Sequence, residues 1–578
     1  MTDNKKNIDS QLITGEESLR VFEGLNRGMS RRNALQMLGL AGVAVAGASS
    51  LFGAAGKLFA DDEAASPGKG KPGGRIRVAG QTSSTADTLD PAKGSSSTDY
   101  VRHYMFYNGL TRFDNHMVPQ LELAERIETT DATLWVITLR KEVTFHNGKA
   151  LTAADVVFSL LRHKDPLTGS KVLPLASQFA EVKAVGTHEV QIQLSGPNAE
   201  LPSVLAISHM LIVPEGTSDF SLGIGTGPFK AKEFQPGVRS IAVRNANYWK
   251  PGLPYLDEIE FISIADESSR IGVRNSNYWK PGLPYLDEIE FIAIADESSR
   301  VNALLSGDVH IVNEVNPRST VRIKGSTKHR VVDSPSGNYT DLIIRQDQLP
   351  GKSPEFTQAM KLLLDREQIK SAIFRGFARV GNDHPIAPGA RFFNADLPQR
   401  AYDPEKAKFL LKKAGMESIT MPLMCSPAAT GSVDIAVLLQ QSAKEAGLKL
   451  DVNRLPADGY WSNHWAKHPL SFGNINPRPN ADMLFSQFFQ STAPWNESGW
   501  KNEQFDQLLV QARGETDEAK RGKMYGDMQT LVHEHSGIGV PVFISNIDGV
   551  DQRVKGYGTN PLGGFMGYMF SEQVWLDA

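Results

Sequence analysis

The residues from Trp135 to Phe158 read WVITLRKEVTFHNGKALTAADVVF. Within them, Thr152-Ala-Ala-Asp155 marks the start of a helix, because the Thr hydroxyl and the Asp carboxylate can meet free N–H groups of the first turn. A second helix begins at Asp403-Pro404 and ends at Gly415. Short strands alternate with such helices on both sides of this segment. This alternation predicts mixed α/β layers.

Length, charge and cysteine content exclude several classes of protein. The chain has 578 residues, which is enough for about three domains with cores of their own. Its net charge of −4, without a long basic run, excludes the usual nucleic-acid binders. Cys425 is the single cysteine, so there is no intramolecular disulfide, cysteine zinc cluster or CxxC pair. A large globular protein remains.

Residues 1–60 resemble a Tat-type export signal. A polar leader precedes Arg31-Arg32, and a weakly apolar segment rich in Gly and Ala follows. Cleavage near Ala60 is favoured over cleavage after Ala46-Gly47-Ala48. An uncut membrane anchor is the alternative, since residues 35–56 are just long enough to span a bilayer.

Residues 61–74 are rich in Gly, Pro and Lys and are predicted to form a flexible linker. Folded structure is expected from Arg75 onward. No later segment approaches eighteen uninterrupted apolar residues, so we expect the mature protein in the periplasm.

A tandem duplication occupies residues 241–270 and 271–300. The two copies differ only at Ala242/Gly272, Ala246/Ser276 and Ser263/Ala293. Each copy is predicted to form a strand, a Pro/Gly turn, a second strand and the start of a helix. The second copy alone continues into a full helix. Two copies are too few for a solenoid, so we expect one surplus hairpin that the fold tolerates.

Several motifs occur in the order found in one known family. They are Thr88-Leu-Asp-Pro91, Phe145-His-Asn-Gly148, Gly225-Thr-Gly-Pro-Phe229, Leu305-Ser-Gly-Asp-Val309, Leu364-Asp-Arg-Glu367, Tyr402-Asp-Pro-Glu-Lys-Ala407 and Trp495-Asn496 ahead of Asn502-Glu-Gln-Phe-Asp506. Together they resemble the family 5 extracellular solute-binding proteins, which are the peptide, opine and nickel receptors of ABC importers. The resemblance extends from about Arg75 to the C-terminus.

The resemblance implies a two-lobe periplasmic-binding-protein fold of type II, similar to the large cluster C proteins, with a hinge and an interlobe cleft. The first lobe is placed at 75–314 and 542–578, and the second at 315–541. The ligand favours the closed form because it must contact both lobes. The expected partners are a small peptide-like or opine-like solute and the membrane permease subunits. We expect a monomer that needs no cofactor.

The segment from Asn476 to Asp482 holds the first candidate ligand contacts. It resembles a family segment at the cleft in which an acid grips the α-amine of a dipeptide. Asn480 is the expected equivalent of that acid, and its neutral amide argues against an ordinary free-amine peptide. Asp482 could replace that acid, or it could cap a helix beginning at Met483. The planar fork of Arg478 could hold a carboxylate or a phosphate.

Aromatic side chains form a second group of candidates near the same segment, namely Tyr460, Trp461 and Trp495. Such rings can stack on sugars, amides and cations, although ordinary core positions are as probable. On the first lobe, the resemblance places Asp99 and Tyr100 at the cleft. Asp99 could hold a cationic group or cap a helix.

Three other classes of function fit the sequence less well than a solute receptor. An enzyme is not predicted, because there is no G-x-S-x-G and Gly351-Lys-Ser353 lacks the first Gly of a P-loop. A nickel or metal-chelate receptor is the runner-up, since His464 and His468 can share one helix face. A membrane-tethered interaction protein follows if the leader is not cleaved. No metal site is predicted.

Overall fold

A computed structural model describes residues 75–80, 86–235, 239–243, 258–263, 268–273, 288–293, 296–493 and 495–577. The predicted leader and linker lie outside the described residues, as do the Pro/Gly turns of both repeat copies. No helix in the described ranges is both long and apolar enough to cross a membrane.

The helices start where the sequence offers side-chain caps. The Asp155 carboxylate accepts a hydrogen bond from the Thr152 N–H at 2.8 Å, and Asp403 accepts one from the Lys406 N–H at 2.9 Å. The predicted helix starts at both places are therefore confirmed. The helices span Ser97–Phe106, Ala153–Leu161, Leu173–Ala176, Leu201–Val204, Glu297–Ser306, Thr320–Lys324, Pro354–Leu362, Arg366–Gln368, Pro404–Lys413, Ser432–Glu445, Tyr460–Asn463, Ala481–Phe488, Glu503–Gly514 and Glu518–His535.

The largest sheet in the described part of the chain is a mixed sheet of twelve strands. In spatial order its main path is Leu470–Ile475, His329–Ile344, Val542–Asp551, Ile311–Val312, Arg75–Gly80, Glu288–Ala293, Ser268–Val273, Glu258–Ser263, Arg239–Val243 and Ala231–Gln235. Two short strands join from the side, Ala378–Val380 and Ile538–Gly539.

Smaller sheets complete the fold. A four-stranded antiparallel sheet has the order Ala124–Thr129, Leu134–Leu139, Glu189–Leu194, Phe179–Gly186. Thr420–Cys425 and Lys449–Arg454 pair in parallel around the helix Ser432–Glu445. Two short antiparallel pairs remain, Thr111–Phe113 with Pro119–Leu121 and Val554–Lys555 with Trp575–Leu576.

The two repeat copies form successive hairpins of the large sheet. In the first copy Arg239–Val243 pairs antiparallel with Glu258–Ser263, and in the second Ser268–Val273 pairs antiparallel with Glu288–Ala293. The second hairpin pairs in parallel with Arg75–Gly80. The described strands of both copies therefore lie next to each other in one sheet, and the paired strands predicted for each copy are present.

Buried apolar side chains separate into two groups of clusters. One group draws on residues 76–332 and 547–574, joined by Phe377, and the other draws on residues 339–544. Two long strands, His329–Ile344 and Val542–Asp551, contribute side chains to both groups. Their pairing register shifts between Ser334 and Asn338, where they pass from one group to the other. These two cores are the two lobes expected from the sequence, and we refer to them as the first and second core groups.

Candidate functional site

Asn480 ends the segment that follows the strand Leu470–Ile475 and caps the next helix. Its Oδ1 accepts a hydrogen bond from the Met483 N–H at 2.9 Å, and the helix begins at Ala481. The prediction that this helix begins at Met483, with Asp482 as its cap, is therefore wrong. Asn is among the best N-cap residues because its carbonyl satisfies a free N–H of the first turn. The Asn480 Nδ2 group is buried and has no partner among the described residues.

Arg478 lies beside this cap with an unneutralised charge. Its Nε donates to Gln487 Oε1 at 2.7 Å and its Nη1 donates to the Asn476 carbonyl at 2.9 Å. The guanidinium lies 5.3 Å from the ring centre of Phe488 and 6.0 Å from that of Trp495. In the described part of the chain, no carboxylate approaches it within ion-pair distance. Burial lowers the pKa of Arg478, as expected for a cation without a counter-ion.

Asp482 is engaged inside its own core group. Its Oδ1 accepts a hydrogen bond from Arg513 Nε at 2.7 Å. Burial raises the pKa of Asp482, and the Arg513 guanidinium opposes that effect. Arg513 also accepts a hydrogen bond from the Ala199 N–H at its carbonyl, at 2.7 Å, which joins this segment to the first core group. The Asp482 carboxylate therefore has a structural partner, which leaves it less available to a ligand cation.

The three aromatic candidates occupy different environments. Tyr460 is fully buried and its hydroxyl donates to the Phe472 carbonyl at 2.6 Å, which places it in the core. Trp461 is 42% exposed and its ring packs edge-on against Tyr460 and Trp465. Trp495 is 43% exposed and packs against Phe488, next to Arg478. The structure therefore brings only Trp495 of the three into contact with the Arg478 guanidinium.

Asp99 has little bonding capacity left. Its carboxylate accepts hydrogen bonds from the backbone N–H groups of Thr88 and Ser95 and binds Arg102 Nη2 at 2.6 Å. Asp99 is only 1% exposed to solvent. Ser96 and Asp99 also form a capping box at the start of the helix Ser97–Phe106. Burial acts to raise the pKa of Asp99, but Arg102 and its other partners outweigh burial and lower it. Its observed role is that of a helix cap, although a buried one.

Tyr100 is half-buried on the same helix and faces an aromatic cluster. Its ring makes edge-to-face contacts with His209 at 5.5 Å and Tyr568 at 5.4 Å, measured between ring centres. Burial raises the pKa of Tyr100, and the Arg478 guanidinium of the second core group opposes this. Tyr100 and Arg478 thus affect each other's pKa although they belong to different core groups.

Tyr568 is a residue that sequence reasoning missed. It follows Phe565, Met566 and Gly567, and all four residues have left-handed φ angles, from 55° to 71°. Each non-glycine residue in this conformation costs about 1–2 kcal/mol, so surrounding contacts must hold the turn. Asp548 supplies one such contact, because its Oδ2 accepts from the Phe565 N–H at 3.1 Å. No local pattern in the sequence predicts this turn.

Two acidic side chains, Asp341 and Glu497, are buried beside the paired strands His329–Ile344 and Leu470–Ile475. Asp341 faces Gly473 in the strand register, and Glu497 approaches the same glycine from the following loop. Glu497 also accepts a hydrogen bond from Trp465 Nε1 at 2.5 Å. Burial raises the pKa of Asp341 to about 7, and burial together with Asp341 raises that of Glu497 well above its usual value. The two carboxyl groups are therefore not both ionised at neutral pH, and neither oxygen of Asp341 has a hydrogen-bond partner among the described residues.

The histidine pair considered for a metal is also present. His464 Nδ1 and His468 Nε2 lie 3.2 Å apart, and their rings stack with centres 5.5 Å apart. They hydrogen-bond to each other in this arrangement. Within the described ranges, no three His, Cys, Asp or Glu side chains gather as metal ligands.

The chain matches the model of one known protein family. The profile of the bacterial extracellular solute-binding proteins, family 5, matches residues 118–272 and 268–497. The chain belongs to this family. The two matched segments meet at the boundary between the repeat copies, which agrees with a 30-residue insertion into a family member. The proteins of this family bind solutes, and the expectation from the motifs is confirmed.

Individual relatives support the same assignment. The glutathione-binding protein GsiB of Pectobacterium atrosepticum is 25% identical over 78% of this chain and 85% of its own length. The peptide-bound periplasmic binding protein DppA of Helicobacter pylori superposes with a TM-score of 0.69 at 20% identity, covering 88% of this chain and 99% of its own. AgaA of A. tumefacien R10, solved with agropinic acid, gives 0.67 at 22%, covering 87% and 99%. These structures confirm the type II two-lobe fold.

Proposed function

We propose that this family 5 protein is the periplasmic receptor of an ABC importer. It captures a peptide-like or opine-like organic solute between its two lobes and delivers the solute to the permease subunits. The observation that carries this proposal is the match to the solute-binding family over residues 118–272 and 268–497, and the Arg478 guanidinium, which has no carboxylate partner in the described part of the chain, offers a charge to a ligand. The receptor acts as a monomer and needs no cofactor or catalytic group.

The lobe limits proposed from the sequence are 75–314 with 542–578, and 315–541. The packing favours a slightly later passage between lobes, because Val315 and Val332 belong to clusters of the first core group. The register shift between Ser334 and Asn338 is a natural place for the hinge, since strands bend at such irregularities.

A second contact between the two core groups supports a closed arrangement of the lobes. Glu200 of the first core group is buried and lies 3.4 Å from both Arg391 and Arg521 of the second. Ser203 Oγ donates to its other oxygen at 2.9 Å. A buried carboxylate between two guanidinium groups favours the closed form, because opening would separate the charges.

The ligand contacts proposed for capture are Arg478, Asn480, Trp495 and Tyr100, with Tyr568 added from the structure. Asp482 and Asp99 are proposed to position the segments that carry them, since each already holds an arginine. Tyr460 supports the core beneath the site. Trp461 remains a proposed contact at the edge, through its exposed ring.

The test is identification of a co-purified solute. Protein purified without denaturation is extracted, and the extract is analysed by mass spectrometry against an extract of the Arg478→Ala variant. We expect one organic solute that is enriched with the wild type and depleted in the variant. Equal extracts, together with no thermal stabilisation by any compound of a peptide and opine library, would overturn the proposal.

Export is tested separately. We propose that residues 1–60 direct the chain through the Tat pathway and are removed near Ala60. The N-terminal mass of the exported protein should match a start shortly after Ala60. A full-length mass in the membrane fraction would instead support an uncut anchor.

A further inference from the structure

The orientation of the Asn480 amide is fixed by the helix that it caps. Its Oδ1 accepts a hydrogen bond from the Met483 N–H, and only an oxygen can do so. Its Nδ2 group must therefore point away from the helix end, where it is buried without a partner among the described residues. A buried donor without an acceptor is costly, so this position favours an acceptor atom supplied by a ligand.

Arg478 adds a positive charge next to this donor. Its Nε and Nη1 groups are occupied by protein acceptors, whereas no partner is found for Nη2 in the described part of the chain. The flanking Phe488 and Trp495 rings limit access of water to the guanidinium. A partly buried guanidinium is stabilised best by a carboxylate, which matches its planar fork.

A third donor lies on the neighbouring strand. Tyr339 pairs with Ile475, three positions before Arg478, and is fully buried. Its hydroxyl has no hydrogen-bond partner within the described ranges. Burial raises the pKa of Tyr339, and the Arg478 guanidinium opposes this effect.

The acids that could receive an ammonium group are already neutralised. Asp482 is paired with Arg513 at 2.7 Å and Asp99 with Arg102 at 2.6 Å. Asp341 and Glu497 lie beside Gly473, and burial raises the pKa of both, so this pair is not fully ionised at neutral pH. Next to the helix Ala481–Phe488, the unpartnered Asn480 Nδ2 group and Tyr339 hydroxyl can donate hydrogen bonds, whereas the Asp482 carboxylate is occupied by Arg513.

We propose that Arg478 and Asn480, with Tyr339 behind them, form a subsite for a carboxylate of the captured solute. The solute therefore presents its anionic end to the start of the helix Ala481–Phe488, and any ammonium group lies elsewhere. This inference rests on the receptor function proposed above and narrows its ligands to carboxylate-bearing solutes.

The test exchanges the polarity of one atom. Asn480→Asp keeps the shape and the N-cap, because Asp caps as well as Asn, but it replaces the Nδ2 donor by an acceptor. Asn502→Asp is the matched control, since Asn502 caps the helix Glu503–Gly514 through a 2.9 Å bond from the Phe505 N–H. The probes are sodium acetate and methylammonium chloride at equal ionic strength, followed by thermal unfolding and by NMR titration.

Acetate should stabilise the wild type and Asn502→Asp, and methylammonium should not. In Asn480→Asp the apparent acetate affinity should fall by about tenfold or more. Equal acetate effects in all three proteins, or stabilisation of the wild type by methylammonium or inorganic phosphate instead, would overturn the carboxylate assignment. If a co-purified solute were still recovered in that case, the receptor function would stand and only the carboxylate assignment of this subsite would be refuted.

Discussion

Asp99 and Asn480 stand at the starts of two helices that lie in different core groups, and both were candidates for ligand binding. Asp99 uses its carboxylate on three backbone N–H groups, those of Thr88, Ser95 and Ser96, and on Arg102. Asn480 uses one atom for its cap and keeps a buried donor without a partner. A polar residue at a helix start can therefore bind a ligand only through the hydrogen-bonding atoms that capping does not use. We expect Asp99 to matter for folding and the Asn480 segment to matter for binding.

The largest effect is expected at Asp99. Asp99→Ala removes a cap and the nearer of two carboxylates beside the buried Arg102, so unfolding free energy should fall by about 3 kcal/mol. Urea denaturation measures this, with the exposed Asp219→Ala as control. A change below the error of that control, combined with a specific loss of solute binding, would reverse the roles assigned to the two helix starts.

The buried acid pair sharpens the contrast, because Asp341 has no cation comparable to Arg102. Burial raises the pKa of Asp341 to about 7, above its unfolded value near 4. The proton therefore stabilises the fold fully below about pH 4, and this contribution is lost as the pH rises to about 7. We expect the free energy of unfolding to fall across that window, measured by denaturation at each pH.

Glu497→Gln tests the cause of this pH dependence. The glutamine oxygen can still accept from Trp465, and its amide can donate to the Asp341 carboxylate, which has no partner among the described residues. The stability of this variant should vary much less between pH 4 and pH 7. A profile parallel to that of the wild type would show that other groups cause the loss.

Arg478→Ala should affect binding more than folding. Loss of its charge-assisted bonds should weaken affinity for the co-purified solute by about 2 kcal/mol, because hydrogen bonds to charged groups contribute about 1.5–3 kcal/mol each. Isothermal titration measures the change, and the exposed Arg126→Ala serves as control. An unchanged dissociation constant would remove Arg478 from the site.

The sequence predicts local structure well where one residue caps its own helix. Thr152 with Asp155, and Asp403 before Pro404, begin helices as expected, and both repeat copies form hairpins. The choice between Asn480 and Asp482 as cap required the structure, because either side chain can accept from the first turn. The carboxylate of Asp482 is held by Arg513, which lies 31 positions away. No local sequence pattern links the two residues, so this ion pair could not be predicted.

Tyr568 marks a second limit of prediction. Its position depends on a left-handed turn of four residues, three of them not glycine. Propensities argue against such a turn, and only tertiary contacts such as the bond from the Phe565 N–H to Asp548 compensate for its cost. Sequence patterns report local preference, so they miss conformations that the rest of the fold imposes.

The smallest effect is expected at Tyr460, which the comparison assigns to structure. Tyr460→Phe deletes one buried hydrogen bond to the Phe472 carbonyl and should lower stability by about 1 kcal/mol. Solute affinity should stay within the error of titration. A marked loss of affinity at unchanged stability would return Tyr460 to the ligand site.

Small-angle X-ray scattering tests most directly whether the two lobes close around a solute. Protein stripped by unfolding and refolding is compared before and after addition of the small-molecule extract from natively purified protein. Closure predicts a smaller radius of gyration with the extract, and Arg478→Ala should blunt the change. Superimposable scattering curves for the wild type, under conditions where titration shows binding, would contradict closure.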